Sequence, residues 1–197
     1  MTRRSASSAM MGLLALGMLA SCGPAATREG LAQPKSQSSA SSAMRLADAL
    51  AQADVAARTG DDATLALPLA TIAALGARPL DDAARSALAL WQERVPDHGP
   101  PMRGRTLGPG YRHGMLNAGG DILIEQTFLS GQKASIALSS PDAAQLRLQV
   151  IDGASQPICQ HTAARPSCEW VPMFTQRHQI HVINPGRRKA RFYLVVD

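Results

Sequence analysis

The sequence predicts an α+β protein: a short N-terminal helical hairpin or bundle followed by an antiparallel, jelly-roll-like β-sandwich. Three observations predict it. Residues 42–95 are rich in Ala and Leu, with apolar side chains at helical spacing. Residues 121–197 change to apolar–polar alternation broken by Gly, Pro and Asp turns. Between them, residues 96–120 carry Pro96, Pro100, Pro101 and Pro109 among many glycines and read as a linker ending in a turn at Gly119-Gly120.

Within the helical region, Ser42 is predicted to cap a helix running to Arg58, with Met44, Ala47, Leu50, Ala51 and Val55 along one face. Thr59-Gly60-Asp61-Asp62 ends that helix and caps the next, because Gly tolerates the left-handed C-terminal position and Asp accepts from free N–H groups. The second helix is expected over 62–75 with Leu65, Leu69, Ile72 and Ala73 inward, and with Pro68 as a kink or a displaced start. Gly76 closes it, and Pro79-Leu80-Asp81 opens a third over 81–94 carrying Ala84, Leu88 and Trp91. So little chain cannot build a large core alone.

From Asp121 the strands follow one another. Ile122, Ile124, Gln126 and Phe128 alternate with Asp121, Leu123, Glu125 and Thr127. After a turn at Ser130-Gly131-Gln132 come 134–138, then Leu146, Leu148 and Val150 in alternation with polar neighbours, then 179–183 and 191–196. Short strands spaced by turns indicate a sandwich or barrel.

The N-terminus has a different grammar. Arg3 and Arg4 precede an apolar run from Ala9 to Ala20, too short for a bilayer core that takes about 20 residues. A charged start, a short apolar stretch and a small-residue exit describe a secretory signal. The exit, Leu19-Ala20-Ser21-Cys22, resembles the lipobox of bacterial lipoproteins. That resemblance implies a signal peptide over 1–21, cleavage before Cys22 and lipid on the Cys22 thiol and the new amine. The alternative is an ordinary secretory peptide with a chance cysteine. Gly23 stands where, in enteric lipoproteins, an aspartate favours inner-membrane retention, so the outer membrane is the expected address. Residues 22–41, rich in Ser, Ala, Gln and Pro, read as a flexible tether.

The formal charge of +5 falls to +3 once Arg3 and Arg4 are removed. Residues 42–97 are net acidic and residues 98–197 net basic, an asymmetry that bears on partners rather than on fold. With Cys22 lipidated, Cys159 and Cys168 remain, and in an oxidising compartment they read as a disulfide. A zinc site is the alternative, although nine positions do not make a C-x-x-C knuckle.

The last eighty or so residues resemble the bacterial pre-peptidase C-terminal domain. Phe128-Leu129-Ser130-Gly131-Gln132-Lys133-Ala134 is similar to its F-x-x-G-Q-x-A strand and turn, and Leu146-Arg147-Leu148-Gln149-Val150-Ile151-Asp152 to its L-D-L-x-V-x-D strand. Cys159 through Cys168 and Trp170-Val171-Pro172 match a C…C…W-x-P segment, and 180–184 and 191–194 the closing strands. The resemblance implies a β-sandwich that often accompanies secreted peptidases. It also implies a calcium site built from acids on the central strand and the cysteine loop. Here those positions are Gln145 and Arg147, with Gln160, His161 and Arg165 in the loop, so calcium is not expected. No cofactor beyond the covalent lipid is anticipated.

Catalytic grammar is sparse: there is no G-x-S-x-G elbow, H-E-x-x-H or P-loop. His178 and His181 suggest a metal, but three apart on a strand they point to opposite faces; only on a helix would they converge. The expected reading is partly exposed strand histidines. Trp170 is expected to pack beside the disulfide. Pro185-Gly186 places Arg187, Arg188, Lys189 and Arg191 at a hairpin tip, either a solvated turn or a contact for lipid headgroups, lipopolysaccharide or another polyanion. Nucleic acid is not an expected partner, because no aromatic stacking platform accompanies the charge. The function predicted is a non-enzymatic, membrane-anchored interaction module of the cell envelope with an envelope protein as a possible partner. The alternatives are an envelope hydrolase or its accessory module, and polyanion binding through the basic tip.

Overall fold

The computed structural model describes residues 40–95 and 108–197. The expected signal peptide, Cys22, most of the tether and residues 96–107 of the expected linker lie outside the described residues.

Three helices come first: α1 (Ser42–Thr59), α2 (Asp62–Ala74) and α3 (Asp82–Arg94). Each begins on a side-chain cap. Ser41, one residue ahead of the predicted cap, accepts from the Met44 N–H; Asp61 and Asp81 accept from Thr64 and Ala84. Gly60, at φ 76, closes α1 and donates to the Ala56 carbonyl. Pro68 neither ends α2 nor delays its start; it is buried within the helix.

The strands are β1 (Arg78–Pro79), β2 (Gly110–Leu116), β3 (Asp121–Phe128), β4 (Ala134–Ser139), β5 (Leu146–Ile151), β6 (Pro157–Ala163), β7 (Ser167–Trp170), β8 (Gln176–Ile183) and β9 (Ala190–Val196). They form a five-stranded sheet of order β1-β2-β9-β4-β7 and a four-stranded sheet of order β3-β8-β5-β6. Pairing is antiparallel except for the two-residue β1, which runs parallel to β2. The predicted alternation holds in β3, where Ile124 and Phe128 are buried, and in β5, where Leu146, Leu148 and Val150 are.

Part of the expected linker is structure. Residues 110–116 form β2, hydrogen-bonded along its length to β9. Its glycines are required by close approach: a Cβ on Gly114 would lie 2.8 Å from the Phe192 ring. Just before the strand, a Cβ on Gly108 would lie 2.0 Å from the Gly76 carbonyl oxygen. Glycines that make room for packing look, in a sequence, like glycines of a linker.

The helices are not a separate bundle. α1 lies on the outer face of the five-stranded sheet, and its Leu46, Leu50 and Ala53 share a core with Leu65, Leu69, Trp91, Tyr111, Tyr193 and Val195. A second core, with Ile136, Leu148, Ile180, Val182 and Phe192, fills the space between the sheets. The result is three layers, helices on sheet on sheet. α1 is therefore covered on two sides, and its buried residues extend well beyond one stripe, from Ala43 and Ala49 to Ala53 and Ala56.

Cys159 and Cys168 form a disulfide with Cα atoms 6.2 Å apart. β6 and β7, which carry them, are edge strands of different sheets, so the bond joins the sheets at one margin of the sandwich. What reads as a cysteine loop is two strands and a turn. Closing about ten residues stabilises by roughly 2–3 kcal/mol in the chain-entropy account.

Candidate functional site

The strands run between two ends. One end holds the β3–β4 turn, the β7–β8 loop, the start of α1 and Asp197; the other holds the β4–β5 and β6–β7 turns, the end of α1 and the crossover from β8 to β9. Polar chemistry concentrates at the second end.

There a cleft of about 490 Å³ opens between the second half of α1 and the β4–β5 turn. Ala51, Val55 and Pro141 give it an apolar lining, and Asp48, Ser140 and Arg165 add polar groups. Asp48 accepts from the Ser139 hydroxyl at 3.1 Å and pairs with Arg165 at 3.2 Å. Asp61, on the rim, is held below the usual carboxylate range by the Thr64 hydroxyl and then the Thr64 N–H, which fix it as a helix cap. Ser140 differs from these neighbours: it is 8 % exposed, and its hydroxyl has no hydrogen-bond partner. Buried polar groups are rarely left so, because desolvation without a new bond costs about 1–3 kcal/mol.

The wall of the cleft is a constrained turn. The Ala143 N–H donates to the Ser140 carbonyl, and Ala143 sits at φ 50, a left-handed conformation uncommon for a residue with a Cβ. Asp142 fixes this turn by accepting from Arg58 and from the Arg191 N–H, each at 3.4 Å. Arg58 also pairs with Asp54 at 3.0 Å, and Asp54 pairs with Arg191 at 2.7 Å. Four charges thus tie the helix, the turn and β9 together. Burial opposes the charge on Arg191, but Asp54 outweighs it and raises the group's pKa.

This placement corrects the basic-tip reading. Residues 184–189 do not form a hairpin tip, since β8 and β9 belong to different sheets; they form an arch between them. Asn184 is buried and shapes the arch, donating to the Leu116, Asn117 and Arg188 carbonyls and accepting from the Gly186 N–H. Arg187, Arg188 and Lys189 are exposed and border a groove of about 710 Å³ with Asp142 and Gln145. Arg191 is committed to Asp54 and does not belong with them.

The histidines are also reassigned in part. His181 and His178 do point to opposite faces of β8, but His178 is only 1 % exposed rather than partly exposed. It packs edge-on to Phe128 and lies 5.5 Å from Trp170, itself 4.8 Å from Phe128. Among the described residues, no group of three or more His, Cys, Asp or Glu is placed to hold a metal ion. No described helix is long and apolar enough to cross a membrane.

The cleft was not anticipated from sequence. Ser139-Ser140-Pro141-Asp142 reads as an ordinary turn, and its meeting with α1 some ninety residues earlier leaves no local mark. Arg165 stood out only as a cation in the cysteine segment.

No protein-family model matches the chain, and no curated protein matches it in sequence. Solved structures similar to it include the Yersinia pseudotuberculosis-derived mitogen, at 13% identity and TM-score 0.39 over 45% of this chain and 84% of that one. The pre-peptidase C-terminal domain of a Bacillus anthracis collagenase is similar at 9% identity and TM-score 0.40, over 44% and 87%. The g-type lysozyme inhibitor PliG of Aeromonas hydrophila is similar at 10% identity and TM-score 0.35, over 45% and 84%.

Proposed function

We propose that this chain is a lipid-anchored module of the cell envelope that binds a partner without chemical turnover, through the cleft between α1 and the β4–β5 turn. The observation that carries the reading is the cleft itself, an apolar floor of Ala51, Val55 and Pro141 whose bordering charges, Asp48, Asp61 and Arg165, already have partners within the fold. A hydroxyl acts as nucleophile when a base takes its proton. In this cleft the adjacent carboxylate, Asp48, is held by Ser139 and Arg165. The cleft offers apolar surface edged by polar groups whose charges already cancel, suited to a neutral hydroxyl- or amide-bearing group of sugar or short-peptide size.

The test is calorimetric titration with N-acetylated amino sugars and short cell-wall peptides. Binding that is abolished by Val55→Trp, which fills the cleft, supports the reading. Binding indifferent to that substitution, or no binding by any probe, contradicts it.

A second reading has its own observation. None of the ion pairs among the described residues engages Arg187, Arg188 or Lys189, so the arch presents three uncompensated cations. A polyanion is the matching ligand class. Its affinity should fall steeply with salt and vanish on triple substitution to Gln; unchanged affinity removes the reading.

A further inference from the structure

The end of the sandwich opposite the cleft exposes apolar side chains that the fold does not use. Met173 is 84 % exposed, Phe174 68 %, Val171 58 % and Leu129 51 %. They come from two loops joined to each other: the Gly131 N–H donates to the Pro172 carbonyl at 2.9 Å, and the Ser130 N–H to the Thr175 hydroxyl at 3.0 Å. Pro172 between them is buried, and the Phe128–Trp170–His178 cluster lies at the base of the β7–β8 loop. The patch is thus a supported apolar tip. Soluble surfaces seldom expose a Met and a Phe side by side without a partner.

Where the chain enters the fold indicates the partner. The first cap, Ser41, accepts from the Ser135 hydroxyl at 3.5 Å, and Ser42 donates to Asp197. Ser135 and Glu169 are register partners one step from Ala134 and Trp170, where the two apolar loops begin. The first described residues therefore enter the fold at the apolar end. Near this end Lys133 pairs with Glu169 at 2.9 Å and Arg177 with Glu125 at 3.1 Å, while Arg78, on the same groove as Leu129 and Lys133, makes no ion pair among the described residues. The exposed cluster Arg187, Arg188 and Lys189 sits at the far end, about 20 Å away along the seven residues of β9.

From these observations we infer that Leu129, Val171, Met173 and Phe174 form a lipid-contacting tip that sits in the membrane interface and turns the cleft and the basic arch away from the bilayer. The inference rests on the lipid anchor for its orientation. Lipid on the Cys22 thiol and amine supplies the attachment, and an apolar contact on the fold itself gives that attachment a direction. Because the four side chains of the tip are apolar, its contact with lipid depends little on salt.

The test uses the lipidated full chain in vesicles containing bromine-labelled phosphatidylcholine. A tryptophan introduced by Phe174→Trp is expected to be quenched, measured as the increment over the parent, and one introduced by Arg187→Trp is not. Equal quenching at both, quenching at 187 alone, or none at either overturns the inference. The Cys22→Ser chain separates this outcome from failure of the anchor. Its partition into zwitterionic vesicles is expected to fall about tenfold in the Met173→Ser, Phe174→Ser double variant, given the apolar area those side chains remove from water. It should change less than about twofold between roughly 0.1 and 0.5 M salt. An unlipidated native chain that still partitions through Phe174 would retain the tip and discard the anchor. Lipid on Cys22 with no quenching at 174 would do the reverse.

Discussion

The five-stranded sheet buries both of its faces, and the two are built on different principles. Its inner face meets the second sheet through Ile136, Leu138, Phe192 and Leu194, with the disulfide closing one margin. Its outer face meets α1 through small side chains, Ala47, Ala51 and Ala137, together with a charged seam of Asp54, Arg58, Asp142 and Arg191. The inner face supplies stability without direction. The outer face fixes where the helix and the β4–β5 turn meet, and that meeting forms the cleft. A buried ion pair is a poor source of net stability, but it penalises any register that separates its members.

Breaking the seam gives the largest expected effect. Asp54→Ala leaves Arg191 without its carboxylate and should cost about 3–5 kcal/mol in urea unfolding, comparable to Leu148→Ala between the sheets at about 2–5 kcal/mol. A loss below about 1 kcal/mol for Asp54→Ala would show that the seam does no structural work. Removing the staple is next: the Cys159→Ser, Cys168→Ser pair should cost roughly 2–3 kcal/mol while leaving the far-ultraviolet spectrum native.

Alkaline pH probes the outer face selectively. Both tyrosines of the chain, Tyr111 and Tyr193, lie there, and burial raises both pKa values, with Asp81 adding to the first and Asp54 to the second. The folded state therefore keeps phenolic protons that the unfolded chain releases near pH 10, so stability is full below that pH and declines above it. About 2 kcal/mol should be lost between pH 10 and 11 if both contribute fully. Tyrosinate absorbance should rise only with unfolding; a rise near pH 10 in the folded protein would contradict the packing of that face. The smallest effect is expected at Ser140→Ala, within about 0.5 kcal/mol and toward stabilisation, because no hydrogen bond is broken.

The same contrast explains what was legible in the sequence. The four-stranded sheet buries one face only, so β3, β5 and β8 alternate with period two and can be read from Ile124, Leu148 and Ile180 without knowing their partners. β4 and β9, in the sheet covered on both sides, are buried on both faces and show only as apolar runs. The helix caps at Asp61 and Asp81 are local chemistry and were equally visible. β2 was hidden because Gly110 and Gly114 serve packing rather than flexibility. β6 was hidden because its outward-facing polar residues, such as Gln160 and Thr162, leave little alternation to read. The seam and the cleft join residues about ninety to one hundred and forty positions apart, and no periodicity records such pairs. Arg191 looked like one of four tip cations for that reason; its partner lies on a helix 137 residues away.

The claim that the chain is a membrane-anchored module is tested most directly by the intact mass of protein purified from membranes, before and after reduction. A chain starting at Cys22 with lipid-sized added mass, gaining two hydrogens on reduction of Cys159–Cys168, is the predicted result. An unmodified chain that retains residues 1–21, or one cut elsewhere without lipid, would contradict the anchor and leave the cleft to act in solution.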